Sequence, residues 1–223
     1  MFDRILTIIN EDNFKKIQNT SVLVVGVGGV GGYALEALVR SGFINITIVD
    51  GDTIDISNLN RQIITNASNI GISKVLEAEK RAKSINSNVK IHTIDKCLTN
   101  ENFNNYINQE YDYIIDACDD IDIKVALIKY AKEKNIKIIC ALGTGRKIKP
   151  ELLKVSTLNK TFNDPLAKKL RYALRKEGMD LNIPVVFSEE KAINTDNVVG
   201  SMIFVPAVAG LYVANYILRD IIK

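Results

Sequence analysis

Ser21-Val22-Leu23-Val24-Val25, running straight into Gly26-Val27-Gly28-Gly29-Val30-Gly31, is the stretch whose reading decides the fold. The first five residues carry no charge and lack the polar alternation of a half-exposed strand. They read as a strand buried on both faces, as in a parallel sheet. The glycines that follow fit G-x-G-x-x-G between a strand and a helix. They permit a tight turn and let a phosphate approach backbone N–H groups at a helix N-terminus, where the dipole favours an anion. A helix over residues 30–40 comes next, with Ala34, Leu35, Ala37 and Leu38 as its buried stripe and Gly42 as its stop.

Outward from this unit the same alternation continues. Residues 46–49 form a second strand ending in Asp50, and residues 73–85 a helix with Ser73 as its N-cap. Strands over 89–94, 111–116 and 136–141 follow, with a helix over 121–133 and a turn at Gly143-Thr144-Gly145. This order implies βαβ units and an α/β, Rossmann-like, mainly parallel sheet flanked by helices. Past Pro150 the pattern changes to a strand at 152–157, a strongly basic helix at 165–176, a short strand at 184–188 and an apolar C-terminal segment. The division expected is a nucleotide-binding core over residues 1–150 and an extension over 151–223 packed on the same domain.

Composition narrows the class. At 223 residues, 47% hydrophobic and 25% charged, the chain has the make-up of a globular protein with one sizeable core. Its N-terminus carries acids and lacks the cationic start of a signal peptide. Three cysteines, Cys97, Cys118 and Cys140, form no CxxC pair, which fits a reducing cytoplasm and argues against a disulfide frame or zinc knuckle. Cys118 and the lone His92, which falls in a predicted strand, read as structural. Met202 to Leu218 is almost uncharged, yet it contains Pro206, Gly210 and Asn215 and falls short of the roughly 20 apolar residues of a membrane span. It reads as a buried helix or a subunit interface.

Asp50 stands where a carboxylate accepts hydrogen bonds from ribose hydroxyls, a feature that a dinucleotide site shares. The next stretch separates the two readings. Asp50-Gly51-Asp52-Thr53-Ile54-Asp55-Ile56-Ser57-Asn58-Leu59-Asn60-Arg61-Gln62 adds an arginine and two amides, and Lys74 opens the following helix. A triphosphate has a use for Arg61 and Lys74, because negative charge develops on the departing pyrophosphate.

Asp-x-Asp followed by Ser-Asn-Leu-Asn-Arg-Gln, with Lys74 downstream, resembles the adenylation domain of the ubiquitin-activating enzymes and of the molybdopterin- and thiamine-pathway adenylyltransferases. The resemblance implies that Gly26, Gly28, Gly29, Gly31, Asp50, Asp52, Asn58, Arg61, Gln62 and Lys74 bind ATP. Asp50 would hold the ribose, and Asn58, Arg61, Gln62 and Lys74 the phosphates. Asp119 matches the family's magnesium aspartate. Asp120 and Asp122 read as solvated residues that favour a helix start. Arg4 matches an arginine that reaches the ATP of a neighbouring subunit, which implies a homodimer. On this reading Arg4, Arg61, Lys74 and Asp119 are the catalytic set.

Within that family, Gly143 to Pro150, Asp164-Pro165-Leu166-Ala167-Lys168 and Val185 to Glu190 are similar to the branch of tRNA threonylcarbamoyladenosine dehydratases. The two CxxC pairs of sulfur-carrier adenylyltransferases are absent, and no cysteine follows Cys140 to take an acyl group as a thioester. The branch implies tRNA as partner. A net charge of +3 would not by itself suggest nucleic acid. Between Lys160 and Lys176, however, six cations meet one acid, and Lys168, Lys169, Arg171, Arg175 and Lys176 are the expected RNA contacts. The resemblance also admits a sulfur-relay protein and a monovalent cation, for which the sequence points to no residues. Three rival readings are an adenylyltransferase for a sulfur carrier, an NAD-binding oxidoreductase and a non-catalytic ATP or tRNA module.

Overall fold

The structure is a computed structural model and describes residues 1–193 and 199–223. In chain order the elements are α1 (Asp3–Leu6), α2 (Glu11–Asn19), β1 (Ser21–Val25), α3 (Gly31–Arg40), β2 (Asn45–Val49), α4 (Lys74–Ile85), β3 (Lys90–Ile94) and α5 (Phe103–Tyr106). They continue with β4 (Tyr113–Asp116), α6 (Ile121–Glu133), β5 (Lys137–Ala141), β6 (Leu153–Thr157), α7 (Pro165–Lys176), β7 (Pro184–Ser188) and α8 (Phe204–Ile221).

One sheet has the order β3-β2-β1-β4-β5-β7-β6. Every pair is parallel except β6 with β7, which is antiparallel. From β1 the chain winds to one side through β2 and β3, then crosses to β4 and winds the other way. The order therefore reverses between β1 and β4, and in open α/β sheets ligands bind beyond the strand ends at such a switch point.

The uninterrupted apolar run of β1 is explained by burial on both faces. Val22 and Val24 pack among side chains of α3 and α8, while Leu23 and Val25 pack on the opposite face with Ile123 and Leu127 of α6. Burying each such side chain contributes roughly 1.5–3 kcal/mol. A third cluster joins Cys140, Val185 and Phe187 to Leu170 and Leu174 of α7. α7 starts because Asp164 caps it, accepting from Ala167 N at 2.9 Å, and Pro165 fits the first turn.

α8 closes the opposite face by packing on α3. A Cβ on Gly210 would collide with the Val30 carbonyl, so only glycine allows this approach. No helix among the described residues is long and apolar enough to cross a membrane.

Sequence reading missed α1, α2 and α5, and one cap is corrected. Ser73 occupies the N-cap position of α4, but its hydroxyl makes no capping bond and is buried without a partner among the described residues. Its backbone is engaged instead in a bridge to Thr53, and Lys74 N donates to Asp52 O at 3.0 Å. The start of α4 is thus tied to the Asp50–Asp55 segment through the main chain.

Candidate active site

A cavity of about 510 Å3 opens at the carboxyl ends of β1, β2 and β4. Gly26 makes its inner corner, with φ +85° and its N–H donating to Val49 O at 2.7 Å. A Cβ there would lie 2.9 Å from the Ala117 carbonyl oxygen, and one on Gly31 would strike the Gly26 carbonyl. Gly28 and Gly29 line the cavity, whereas Gly31 lies behind them and lets α3 begin.

Asp50 closes the loop from the other side. Its carboxylate accepts from Val27 N at 2.9 Å and from Asp52 N at 3.0 Å. Burial raises its pKa above the usual carboxylate value, against the pull of Lys74 and the two backbone bonds. Lys74 lies along the wall, its side chain only 7% exposed, and meets the 63%-exposed Asp52 at 2.6 Å. Arg61 reaches Ser57 O at 2.7 Å and Asn60 Oδ1 at 3.1 Å from the same rim.

Two amides complete the rim. Asn58 Oδ1 accepts from Asp55 N at 3.1 Å and so shapes the loop. Gln62 is buried, and its Oε1 has no partner among the described residues. That oxygen can therefore still accept a hydrogen bond from a ligand donor. Asp119 is exposed on the opposite rim.

No group of three or more potential metal ligands exists among the described residues. A magnesium ion is commonly held by one or two carboxylates together with substrate phosphates, and Asp119 facing the glycine loop fits that kind of site. Asp120, read from sequence as a solvated residue that favours a helix start, is the N-cap of α6 and accepts from Asp122 N at 2.8 Å and Ile123 N at 3.0 Å.

Several predicted residues stand apart from the cavity. Arg4 is exposed on α1 and lines no part of it. On α7, Lys168, Lys169, Arg175 and Lys176 face solvent. Arg171 instead turns back onto the Leu158 and Thr161 carbonyls and the Thr161 hydroxyl, which serves folding of the preceding loop. A larger cleft of about 660 Å3 between α5, α6 and α7 lies away from the strand ends, and Lys129, Lys176, Asp122, Glu133 and Glu177 mix both charges in its walls.

Sequence reasoning missed the burial of the charged side chains Lys124, Lys147 and Glu190. Lys124 pairs with Asp116 at 2.9 Å, both at 0% exposure. Lys147 donates to Gly143 O at 2.8 Å and lies 3.6 Å from Asp164. Glu190 accepts from Ile148 N and Lys149 N at 3.0 and 2.9 Å. Cys118, read as packing, is half-buried and lines the cavity, its thiol donating to Asp116 Oδ1 at 3.0 Å. Burial, together with the Asp116 charge, holds that thiol well above the ordinary cysteine pKa.

A glycine loop at a switch point, with a carboxylate beside it and the cations Arg61 and Lys74 in the same cavity lining, marks a nucleotide-binding α/β protein. More narrowly, the chain belongs to the ThiF family, whose model matches residues 2–220. The tRNA threonylcarbamoyladenosine dehydratase of Bacillus subtilis strain 168 is 34% identical to it, over 100% of this chain and 94% of the relative. The crystal structure of E. coli tRNA N6-threonylcarbamoyladenosine dehydratase, TcdA, in complex with AMP aligns with a TM-score of 0.92 at 32% identity, covering 97% of this chain and 91% of that one. The complex of TcdA with ATP gives 0.93 at 32% identity, covering 99% and 93%.

Proposed function

We propose that this chain is an ATP-dependent tRNA threonylcarbamoyladenosine dehydratase. The observation that carries the reading is its similarity, along nearly the whole chain, to an enzyme of that name whose structure holds ATP.

The substrate carries a free carboxylate on its threonylcarbamoyl group. Carboxylate oxygen is a poor leaving group, so ring closure needs activation. One carboxylate oxygen attacks the α-phosphorus of ATP, the bond from that phosphorus to the bridging oxygen breaks, and pyrophosphate departs with the electron pair. The carbamoyl oxygen then attacks the acyl carbon and AMP leaves with the former carboxylate oxygen, while the carbamoyl nitrogen loses a proton. The nucleoside has lost one water, and ATP has become AMP and pyrophosphate.

The side chains act by placement and charge. Arg61 and Lys74 stabilise the departing pyrophosphate. The glycine-loop amides and Gln62 seat the phosphates, and Asp50 orients the ribose. Asp119 would hold a magnesium ion, which would supply further neutralisation of phosphate charge. Cys118 stays a thiol and takes no acyl group, in keeping with the cause of its raised pKa. Arg4 completes the site of a second copy in a cytoplasmic homodimer, and the outward cations of α7 bind the tRNA backbone.

The test is mass spectrometry of tRNA nucleosides after incubation with ATP and threonylcarbamoylated tRNA. The modified adenosine is expected to lose the mass of one water only when ATP is present. An unchanged nucleoside, with adenylation of a carrier protein's C-terminus instead, overturns the substrate and leaves the ATP site standing.

A further inference from the structure

Beneath the cavity floor a lysine and an aspartate meet entirely out of water. Lys124 of α6 donates to Asp116 Oδ2 at 2.9 Å and to the Ala141 carbonyl at 2.9 Å. One ammonium thereby fastens the ends of β4 and β5 together. The other carboxylate oxygen, Asp116 Oδ1, accepts from Cys118 N at 3.3 Å and from the Cys118 thiol at 3.0 Å. Asp120 ends the turn by capping α6, the helix that carries Lys124.

That turn is the side of the cavity facing the glycine loop. Ala117, Cys118, Asp119 and Asp120 all line it. The glycine loop stands directly on the turn: a Cβ at Gly26 would lie 2.9 Å from Ala117 O, and one at Gly31 would lie 3.3 Å from Ala117 Cβ. The turn and the loop are thus packed closely enough for the position of one to bear on that of the other.

Stability does not account for the pair. Removing two charges from water costs about as much as their attraction returns, so a well-packed apolar pair of similar volume is often as stable or more so. The charges also cancel, so an anionic ligand above them meets no uncompensated carboxylate.

We propose that Lys124 is a positioning residue of the ATP site: its clamp on Asp116 and Ala141 O fixes the Ala117–Asp120 turn, which seats the glycine loop and sets the direction of Asp119. The inference rests on the ATP-dependent reading above and concerns nucleotide binding rather than the tRNA step.

The experiment compares wild type with two double variants, Asp116→Leu/Lys124→Met and Asp116→Asn/Lys124→Gln, by calorimetric ATP titration without tRNA and by thermal melting. The Leu–Met pair should stay folded at the assay temperature yet bind ATP at least about tenfold more weakly. The Asn–Gln pair, whose glutamine is one bond too short to keep both contacts, should lose about threefold or more and decides the matter if the first variant does not fold. A folded variant of either kind with wild-type ATP affinity overturns the role of Lys124. Absence of ATP binding by wild type overturns the functional reading instead, so the two failures are distinct.

Discussion

At the rim of the cavity Lys74 meets Asp52 at 2.6 Å across the boundary with solvent, whereas under the floor Lys124 meets Asp116 at 2.9 Å with no exposure on either side. The two pairs have the same chemistry and opposite uses. The rim carboxylate is mostly hydrated, so solvent competes for it and its place beside Lys74 is open to another anion. The floor lysine has two hydrogen bonds that water cannot replace. Burial works against its charge, but the Asp116 carboxylate more than compensates and holds its pKa above the ordinary lysine value. Charge at the rim is available to a ligand, and charge at the floor fixes the shape around it.

The sharpest way to break this contrast is at Arg61. Arg61→Ala should lower pyrophosphate formation about 10²–10³-fold with melting unchanged, because its own contacts are to an exposed loop. Normal turnover would remove the rim from the chemistry. Lys74→Ala should cost about 10–10² in the same assay; an effect confined to the melting temperature would make Lys74 a residue that shapes the site without touching the nucleotide.

Outside both pairs, Lys168→Ala/Lys169→Ala/Arg175→Ala should weaken tRNA binding about tenfold at low salt and flatten its log–log salt dependence by about 2, leaving ATP affinity alone. An equal loss for ATP would mean that α7 shapes the cavity. Asp52→Ala should change the ATP affinity by no more than about threefold, since it removes only the exchangeable partner. A larger loss would make the rim pair as fixed as the floor pair.

The smallest effect belongs to a third, intermediate pair. Lys137 at 2.7 Å, helped by a hydrogen bond from Tyr113, holds the Asp220 carboxyl down at about 2. A depressed carboxylate stabilises the fold above its unfolded pKa, near 3.9, and that contribution is lost as pH falls through about 2. Asp220→Asn should therefore melt about 1–3 °C below wild type at pH 7 and together with it near pH 2. A difference that is constant across that range would assign the effect to packing.

The parts that sequence reading captured are those with a local signature. The apolar runs of β1 and β4, the glycine loop and the Asp164-Pro165 start of α7 each signal their structure within a few residues. Asp50 was legible because it ends a strand beside the glycine loop, and the Arg61 segment because its run of residues resembles a known pattern. Lys124 was not legible: a lysine in an amphipathic helix reads as solvated, and only the fold brings it under Asp116 and Ala141. Lys147 and Glu190 were hidden for the same reason, since their partners, Asp164 and the Ile148 and Lys149 amides, lie far from them along the chain or on an irregular loop. Arg171 misled in the opposite direction. It belongs to a basic run but is spent on backbone carbonyls, which charge counting cannot see.

The close seating of Gly210 on the start of α3 also bears on how the molecule is made. Ser201 and Pro206 help to line the nucleotide cavity, and α8 covers the face of the sheet to which α3 packs. During synthesis the glycine loop leaves the ribosome long before these residues exist, and chains begin to fold from the N-terminal side. The nascent sheet must therefore wait with one flank uncovered, and ATP has no finished seat with which to steady it. The part of the cavity wall that Ser201 and Pro206 supply is thus the last of it to be synthesised.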